Sequence, residues 1–210
     1  MKRVHLFFIG AILFAACNDA SKTTDAAKTD SPTVAVFVPV DSATAEKNWM
    51  AYMTPGDVHK MIVSWDGKWN TEMSSWMSPD APPMKSTGTS INKSVLGGRY
   101  QESVHTSTMM GMSFEGHGTL GYDNAKKVFE STWIDNFGTG IIKLVGAWDD
   151  ATKSITLVGK CVDPASGKEC EMREIFKVVD DNTHIMEMYG QNPKDGKEMK
   201  MMEMKFVRAK

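Results

Sequence analysis

This chain of 210 residues has few long apolar runs and only three cysteines, and its basic residues do not outnumber its acidic ones. The amino-terminal apolar run, residues 4–16, is interrupted by His5 and Gly10 and is shorter than the roughly 20 apolar residues that a membrane-spanning helix needs. The 24 basic and 26 acidic side chains give a formal charge of −2, which offers no electrostatic reason to bind nucleic acid. The composition therefore argues against a transmembrane helix at the amino terminus and against a nucleic-acid partner.

Recognisable catalytic motifs are also missing. The sequence has no Gly-x-Ser-x-Gly elbow and no cysteine paired with histidine, so nucleophilic catalysis has little support. Beyond the amino-terminal segment the histidines lie apart, at His59, His105, His117 and His184. His105 and His117 fall on adjacent predicted strands and are candidates for a metal pair or for an axial haem ligand. Histidines on the surface or in hydrogen bonds are commoner, so we expect no metal and no cofactor.

The amino terminus has the features of a bacterial secretory signal. Lys2 and Arg3 precede the apolar run. Residues 13–17, Leu-Phe-Ala-Ala-Cys, resemble a lipobox, in which a cysteine is lipidated before cleavage in front of it. We expect residues 1–16 to be a lipoprotein signal peptide and Cys17 to carry the lipid anchor. The alternative is an ordinary cleaved signal in which Cys17 is incidental.

The segment after Cys17 predicts a flexible attachment. Residues 17–41 are rich in Ser, Thr, Asp, Ala and Lys and cannot bury enough apolar surface to become ordered, so they are interpreted as a disordered tether. The residue after the cysteine is Asn18, whereas lipoproteins retained in the inner membrane of enteric bacteria typically carry Asp there. We therefore expect a lipoprotein of the cell envelope, anchored in the outer membrane and facing the periplasm.

Residues 42–64 have the pattern of two short helices. Ser42 can cap a helix that runs to about Met53, and Pro55 at a first-turn position can begin a second helix with Val58 and Ile62 on one face. We expect both pieces to pack on the main domain.

Residues 65–210 have the regularly spaced turn signals that are typical of an all-β domain. Turn signals recur at intervals of roughly 10 to 13 residues and separate about ten segments of strand length. Two segments alternate clearly, with Phe129 and Trp133 on one face of the first and Glu174 and Phe176 on one face of the second. Short antiparallel strands without intervening helices remove their exposed edges by closing. The pattern predicts an up-and-down antiparallel β-barrel of about ten strands.

The remaining two cysteines flank one of these turns. The turn at 164–167, Pro-Ala-Ser-Gly, places Cys161 opposite Cys170 on the two strands of a hairpin, at a separation that a disulfide accepts. Export to an oxidising compartment permits the bond. A metal or redox pair is the alternative, but the spacing is not Cys-x-x-Cys and the loop has no histidine. We expect a structural disulfide.

Several short motifs together carry a family resemblance. They are Leu-Gly-Gly-Arg-Tyr at 96–100, Phe-Glu-Gly at 114–116, Gly-Tyr-Asp-Asn at 121–124, Trp-Ile-Asp at 133–135, Asp-Gly-Lys-Glu at 195–198 and Arg208. Over residues 55–210 the chain resembles the bacterial family catalogued as domain of unknown function 1579, DUF1579. The resemblance implies a calycin-like barrel related in shape to the lipocalins, and no established activity.

A barrel of this size either fills its interior with side chains or keeps room for one ligand. The candidate ligand-binding residues are the polar and aromatic motif positions Arg99, Tyr122, Phe129, Trp133, Asp135 and Glu198. An internal salt bridge of Arg99 with Asp135 or Glu198 is an equal alternative. The glycines of the motifs, including Gly116, are interpreted as backbone features that bend or close the sheet.

The 17 methionines suggest copper, because thioethers select Cu(I), but Met202 and Met204 alternate as the core face of a strand does. The leading hypothesis is therefore a lipid-anchored module that binds a small, partly apolar molecule. The alternatives are an enzyme with Asp135 or Glu198 as acid or base, and a structural envelope protein with a filled barrel. The oligomeric state is open.

Overall fold

Two short helices precede ten antiparallel strands in the computed structural model, which describes residues 38–210. The elements are α1 Ser42–Met53, α2 Asp57–Ser64, β1 Gly67–Ser75, β2 Met84–Val95, β3 Tyr100–Met109, β4 Met112–Asp123, β5 Val128–Asp135, β6 Ile142–Asp149, β7 Ser154–Asp163, β8 Lys168–Asp180, β9 Thr183–Gln191 and β10 Glu198–Arg208. The predicted signal peptide, Cys17 and most of the predicted tether lie outside the described residues. Within residues 38–210, no helix is both long enough and apolar enough to cross a bilayer.

Each strand pairs with its neighbour in sequence, and the first strand also pairs with the last. Trp69 of β1 lies opposite Arg208 of β10, and Met73 lies opposite Met204. This pairing closes the sheet, so no edge is left with unpaired backbone groups. The predicted ten-stranded up-and-down barrel is confirmed.

Alternation along the strands divides the side chains between the inside and the outside of the barrel. On β5, Phe129 is buried while Glu130 and Thr132 are exposed. On β8, Met172, Glu174 and Phe176 share the inward face. The alternation predicted from these two segments therefore follows the period-2 geometry of a strand.

Helix α2 plugs one end of the barrel. Ile62 of the helix and Trp65 just after it are almost completely buried. They pack against Phe129, Leu144, Ile155 and Leu157 of strands β5, β6 and β7. The apolar face of α2 thus continues the core of the barrel, as its sequence pattern predicts.

Details of the two helices differ from the prediction. Helix α2 begins at Asp57, so Pro55 precedes the helix rather than occupying its first turn. Gly56 is the N-cap, and its N–H donates to Nδ1 of His59 at 3.0 Å. The side chains of α1 are mostly exposed, and none is buried. The barrel instead holds this helix by its last carbonyls, to which the Asn124 side chain donates hydrogen bonds.

The hairpin of β7 and β8 has the predicted register. Cys161 lies directly opposite Cys170, and the two sulfurs are 3.1 Å apart as free thiols. Burial, together with the neighbouring thiol, raises the pKa of Cys161 to about 12. The disulfide between them remains a prediction.

Candidate functional site

The barrel is not filled. A cavity of about 320 Å³ lies inside the barrel, with Trp65, just after the α2 plug, among its lining residues. Seven methionines, contributed by strands β1, β3, β8, β9 and β10, line much of it. Met202, Met204 and Phe206 are among the lining residues, in agreement with the alternation predicted for β10. Flexible, polarisable thioethers therefore form part of a wall that also includes ten serine and threonine residues.

An aromatic wall on β5 and its neighbours faces the methionines. The ring of Trp133 stacks on Phe114 with centroids 6.4 Å apart and meets His105 edge-on at 5.3 Å. Gly116 lies on β4, between the strands of His105 and Trp133, and a Cβ at this glycine would overlap the Trp133 ring. Gly116 therefore makes room for an aromatic side chain inside the cavity, a role that the bend predicted from the sequence did not include.

Asp135 fixes the orientation of this tryptophan. Its Oδ2 accepts a hydrogen bond from Nε1 of Trp133 at 2.8 Å. Its Oδ1 accepts from the backbone N–H groups of Phe137 and Gly138 at 2.9 and 3.0 Å. Both carboxylate oxygens are thus occupied in holding the indole and the β5–β6 loop.

Glu174 is the ionisable cavity residue that lacks such partners. It lies on the inward face of β8 between Leu157 of β7 and Met188 of β9, and its neighbours on its own face are Met172 and Phe176. Among the described residues, no group donates a hydrogen bond to its carboxylate and no basic side chain pairs with it. Because burial disfavours the charged form, the pKa of Glu174 is raised to about 7.

His105 provides a second titratable group in the cavity. Its Nε2 lies 3.2 Å from the hydroxyl of Ser90, which in turn donates to the Asn92 side chain at 2.8 Å. Burial lowers the pKa of His105 to about 4. The imidazole is therefore neutral near pH 7 and can act there as a hydrogen-bonding group without charge.

The floor of the cavity is a satisfied polar network. The side chain of Gln101 donates to the carbonyl of Ile62 and to Asp66, both at 2.8 Å. Asp66 also accepts from the backbone and the hydroxyl of Ser94, each at 2.9 Å. These bonds attach the end of α2 to strands β2 and β3, so the floor is a structural part of the site.

The structure separates the six candidate ligand-binding residues into three groups. Trp133 and Asp135 line the cavity. Phe129 and Tyr122 pack on each other in the core, with ring centroids 5.1 Å apart. Arg99 and Glu198 bind groups outside the cavity, at the end of α1 and on Arg173.

Arg99 and Glu198 do not meet each other or Asp135. Arg99 donates to the carbonyls of Leu96 and Met53 at 3.1 and 2.7 Å, so it binds the last turn of α1. Glu198 forms a two-bond ion pair with Arg173 at 2.8 and 2.7 Å. The internal salt bridge considered from the sequence is therefore not formed.

The candidate pair of histidines is also divided by the sheet. His105 lies opposite Gly116 and faces the cavity, whereas His117, the next residue on β4, is exposed and contacts Glu115 at 2.8 Å. The two rings therefore lie on opposite faces of the sheet. Within residues 38–210, no group of three or more His, Cys, Asp or Glu side chains is arranged so that it could hold a metal ion.

Glu174 was not among the ligand-binding residues predicted from the sequence. The signal was present, because Glu174 lies in phase with Met172 and Phe176 on the apolar face of β8. A charged residue on an otherwise apolar strand face must be neutralised, paired or left facing a cavity.

Two solved structures have a similar fold. Rv2717c from M. tuberculosis is 11% identical over 75% of this chain and 100% of that chain, with a TM-score of 0.56. The S-type phycobiliprotein lyase CPES from Guillardia theta is 8% identical over 78% of this chain and 97% of that chain, with a TM-score of 0.53. At these identities the likeness concerns the fold alone. A search of curated proteins finds no match to this chain.

Most of the chain matches the model of one protein family. The model described as "Protein of unknown function (DUF1579)" matches residues 54–208. This range begins just before α2 and includes all ten strands of the barrel. The motifs that gave the resemblance in the sequence lie within it. The chain therefore belongs to the DUF1579 family.

Proposed function

We propose that this protein binds a small, mostly apolar molecule inside its β-barrel. The observation that carries the proposal is the cavity of about 320 Å³, closed by α2 at one end and lined by seven methionines and five aromatic side chains together with serine and threonine residues. Its volume is at the lower end of the range of about 300 to 1,000 Å³ that is usual for small-molecule sites. A structural barrel would gain stability by filling this space, because unfilled apolar volume costs packing energy.

The polar groups of the cavity support a binding module better than the enzyme considered from the sequence. Asp135 has both oxygens engaged, and Glu198 is paired with Arg173 away from the cavity. Glu174 and His105 remain as titratable side chains of a lining that also contains serine and threonine hydroxyls. Polar groups placed among apolar side chains are typical of pockets that orient a ligand.

A cavity-filling substitution tests the proposal. Ser131 lies on the cavity face of β5, and Ser131→Phe adds an aromatic ring to the ligand space. We expect titration calorimetry with decan-1-ol to show binding by the original protein and at least a tenfold loss in this variant. Val145→Phe adds the same ring at an exposed position on the neighbouring strand and is expected to leave binding unchanged. Equal binding by all three proteins would place the probe outside the barrel and would contradict the proposal.

We further propose that Cys17 anchors the protein by lipid in the cell envelope, on the periplasmic face of the outer membrane. The support is the basic and apolar signal, the lipobox-like segment at 13–17 and Asn18. Cys17→Ser is expected to move the protein from the membrane fraction to the soluble periplasmic fraction and to abolish labelling by a fatty-acid probe. Retention of the label in Cys17→Ser would refute lipidation at this residue.

A further inference from the structure

We propose that the molecule held in the barrel is an apolar cation whose charged nitrogen binds the carboxylate of Glu174. This inference rests on the proposed function and names the chemical class of its ligand. An aliphatic or aromatic amine of modest size is the simplest member of that class.

Glu174 lies among apolar side chains on the inward face of β8. Its two strand neighbours, Leu157 and Met188, are apolar, and so are Met172 and Phe176 on its own face. Among the described residues, no group donates a hydrogen bond to the carboxylate. A carboxylate placed in such surroundings is costly unless a proton or a cation neutralises it. A ligand that brings the positive charge removes this cost.

Among the described residues, the carboxylates that line the cavity have no basic side chain beside them in the lining. The lining within residues 38–210 includes two acidic side chains, Asp135 and Glu174, and no lysine or arginine. Burial lowers the pKa of His105 to about 4, so this histidine adds no positive charge near pH 7. The cavity therefore favours a cation and disfavours an anion such as a fatty-acid carboxylate.

The rest of the cavity wall suits an apolar cation. Asp135 holds the ring of Trp133 in place, and the face of an indole ring beside a cavity can attract a cation as well as an apolar group. The seven lining methionines accept an apolar body of variable shape. A charged nitrogen at Glu174 and an apolar body along the methionines would use both kinds of surface.

Three probes with the same alkyl chain and different head groups test this inference. They are decylamine, decan-1-ol and sodium decanoate, each titrated into the purified protein at pH 8 below its micelle concentration. We expect decylammonium to bind at least about tenfold more tightly than decan-1-ol, as a charge-assisted hydrogen bond predicts. Decanoate is expected to bind most weakly.

Glu174→Gln keeps the size of the side chain and removes the charge. This variant is expected to lose the preference for the amine, so that its affinities for decylamine and decan-1-ol lie within about twofold of each other. The matched control is Glu171→Gln, three residues earlier on the same strand, because Glu171 is exposed on the outside of the barrel. It is expected to keep the preference.

A measurement on the unmodified protein provides the same test if Glu174→Gln does not fold. A proton competes with the amine for Glu174, so the affinity for decylamine is expected to rise several-fold between pH 6 and pH 8. The affinity for decan-1-ol should show no such rise. The other titratable groups that face the cavity are His105, whose pKa lies below this range, and Asp135, which is held by Trp133 and two backbone amides.

The outcomes separate this inference from the proposed function. Binding of all three probes without a preference for the amine, or a preference that Glu174→Gln retains, overturns the assignment of an apolar cation and leaves the cavity a binding site. Failure of all three probes to bind contradicts the proposed function, and the assignment of the ligand falls with it.

Discussion

Gly116 of β4 lies directly against the indole ring of Trp133, on the neighbouring strand β5. The two strands pair through Gly118 and Trp133, so the indole extends along the sheet over position 116. A Cβ at that position would overlap the six-membered part of the ring. The glycine thus allows a tryptophan to lie flat on the cavity wall, where Asp135 holds its Nε1.

Gly116→Ala is therefore expected to displace Trp133 and to destabilise the protein. Overpacking of this kind typically costs about 1 to 3 kcal/mol in the free energy of unfolding. Urea unfolding measures the cost, and a change in tryptophan fluorescence reports the altered ring environment. Gly140→Ala is the control, because a Cβ at Gly140 meets no atom within 4 Å. A Gly116→Ala variant as stable as the control would show that the ring has room to move.

Glu174→Gln is expected to stabilise the protein without ligand at alkaline pH. Burial raises the pKa of Glu174 from its ordinary 4.5 to about 7, so between these values the folded chain binds a proton that the unfolded chain has released. The contribution of Glu174 to stability is present below pH 4.5 and is lost as the pH rises through 7. At pH 8 the variant should be more stable than the original protein by about 2 to 3 kcal/mol, and at pH 4.5 the difference should vanish. A difference that does not depend on pH would contradict the burial of this carboxyl group.

The pH dependence from His105 has the opposite direction. Burial lowers its pKa from 6.5 to about 4, so between these values the unfolded chain binds a proton that the folded chain does not. The stability contributed by this histidine is therefore lost as the pH falls from 6.5 to 4. His105→Gln should lose about 2 kcal/mol less than the original protein between pH 7 and pH 4.5. The exposed His117→Gln serves as the control, and parallel curves for all three proteins would count against a buried neutral His105.

Cys161 and Cys170 are expected to form a disulfide in protein recovered from an oxidising compartment. The two sulfurs already lie 3.1 Å apart across paired positions of the hairpin. The closed loop is short, so the bond should add about 2 to 3 kcal/mol, and less if the unfolded hairpin keeps structure. Peptide mapping under reducing and non-reducing conditions detects it. Two free thiols in such protein would refute the expected bond.

The barrel and its hairpin register could be predicted because they depend on local patterns. Alternation at Phe129, Ser131 and Trp133 identifies an inward face, and turn chemistry places Cys161 opposite Cys170. Both patterns depend on residues that are close together in the sequence. The pairing of the strands in the closed sheet preserves both the inward face and the register.

The cavity and its residues were harder to predict, because they depend on contacts between distant parts of the chain. Arg99 is part of a family motif, but the motif serves the fold, since its guanidinium binds the end of α1. The role of Gly116 appears only when Trp133 of the next strand is placed over it. Packing between residues of different strands, and between the α2 plug and the barrel, decides whether the interior is filled. The alternation pattern of the strands alone does not predict the cavity volume.

A crystal structure of the protein grown with decan-1-ol shows whether the barrel holds an apolar molecule. We expect electron density for the alkyl chain inside the barrel, along the methionines of β8 to β10 and beside Trp133. A cavity that holds only water while decan-1-ol binds elsewhere would refute binding in the barrel. Side chains that collapse to fill the space would refute it as well.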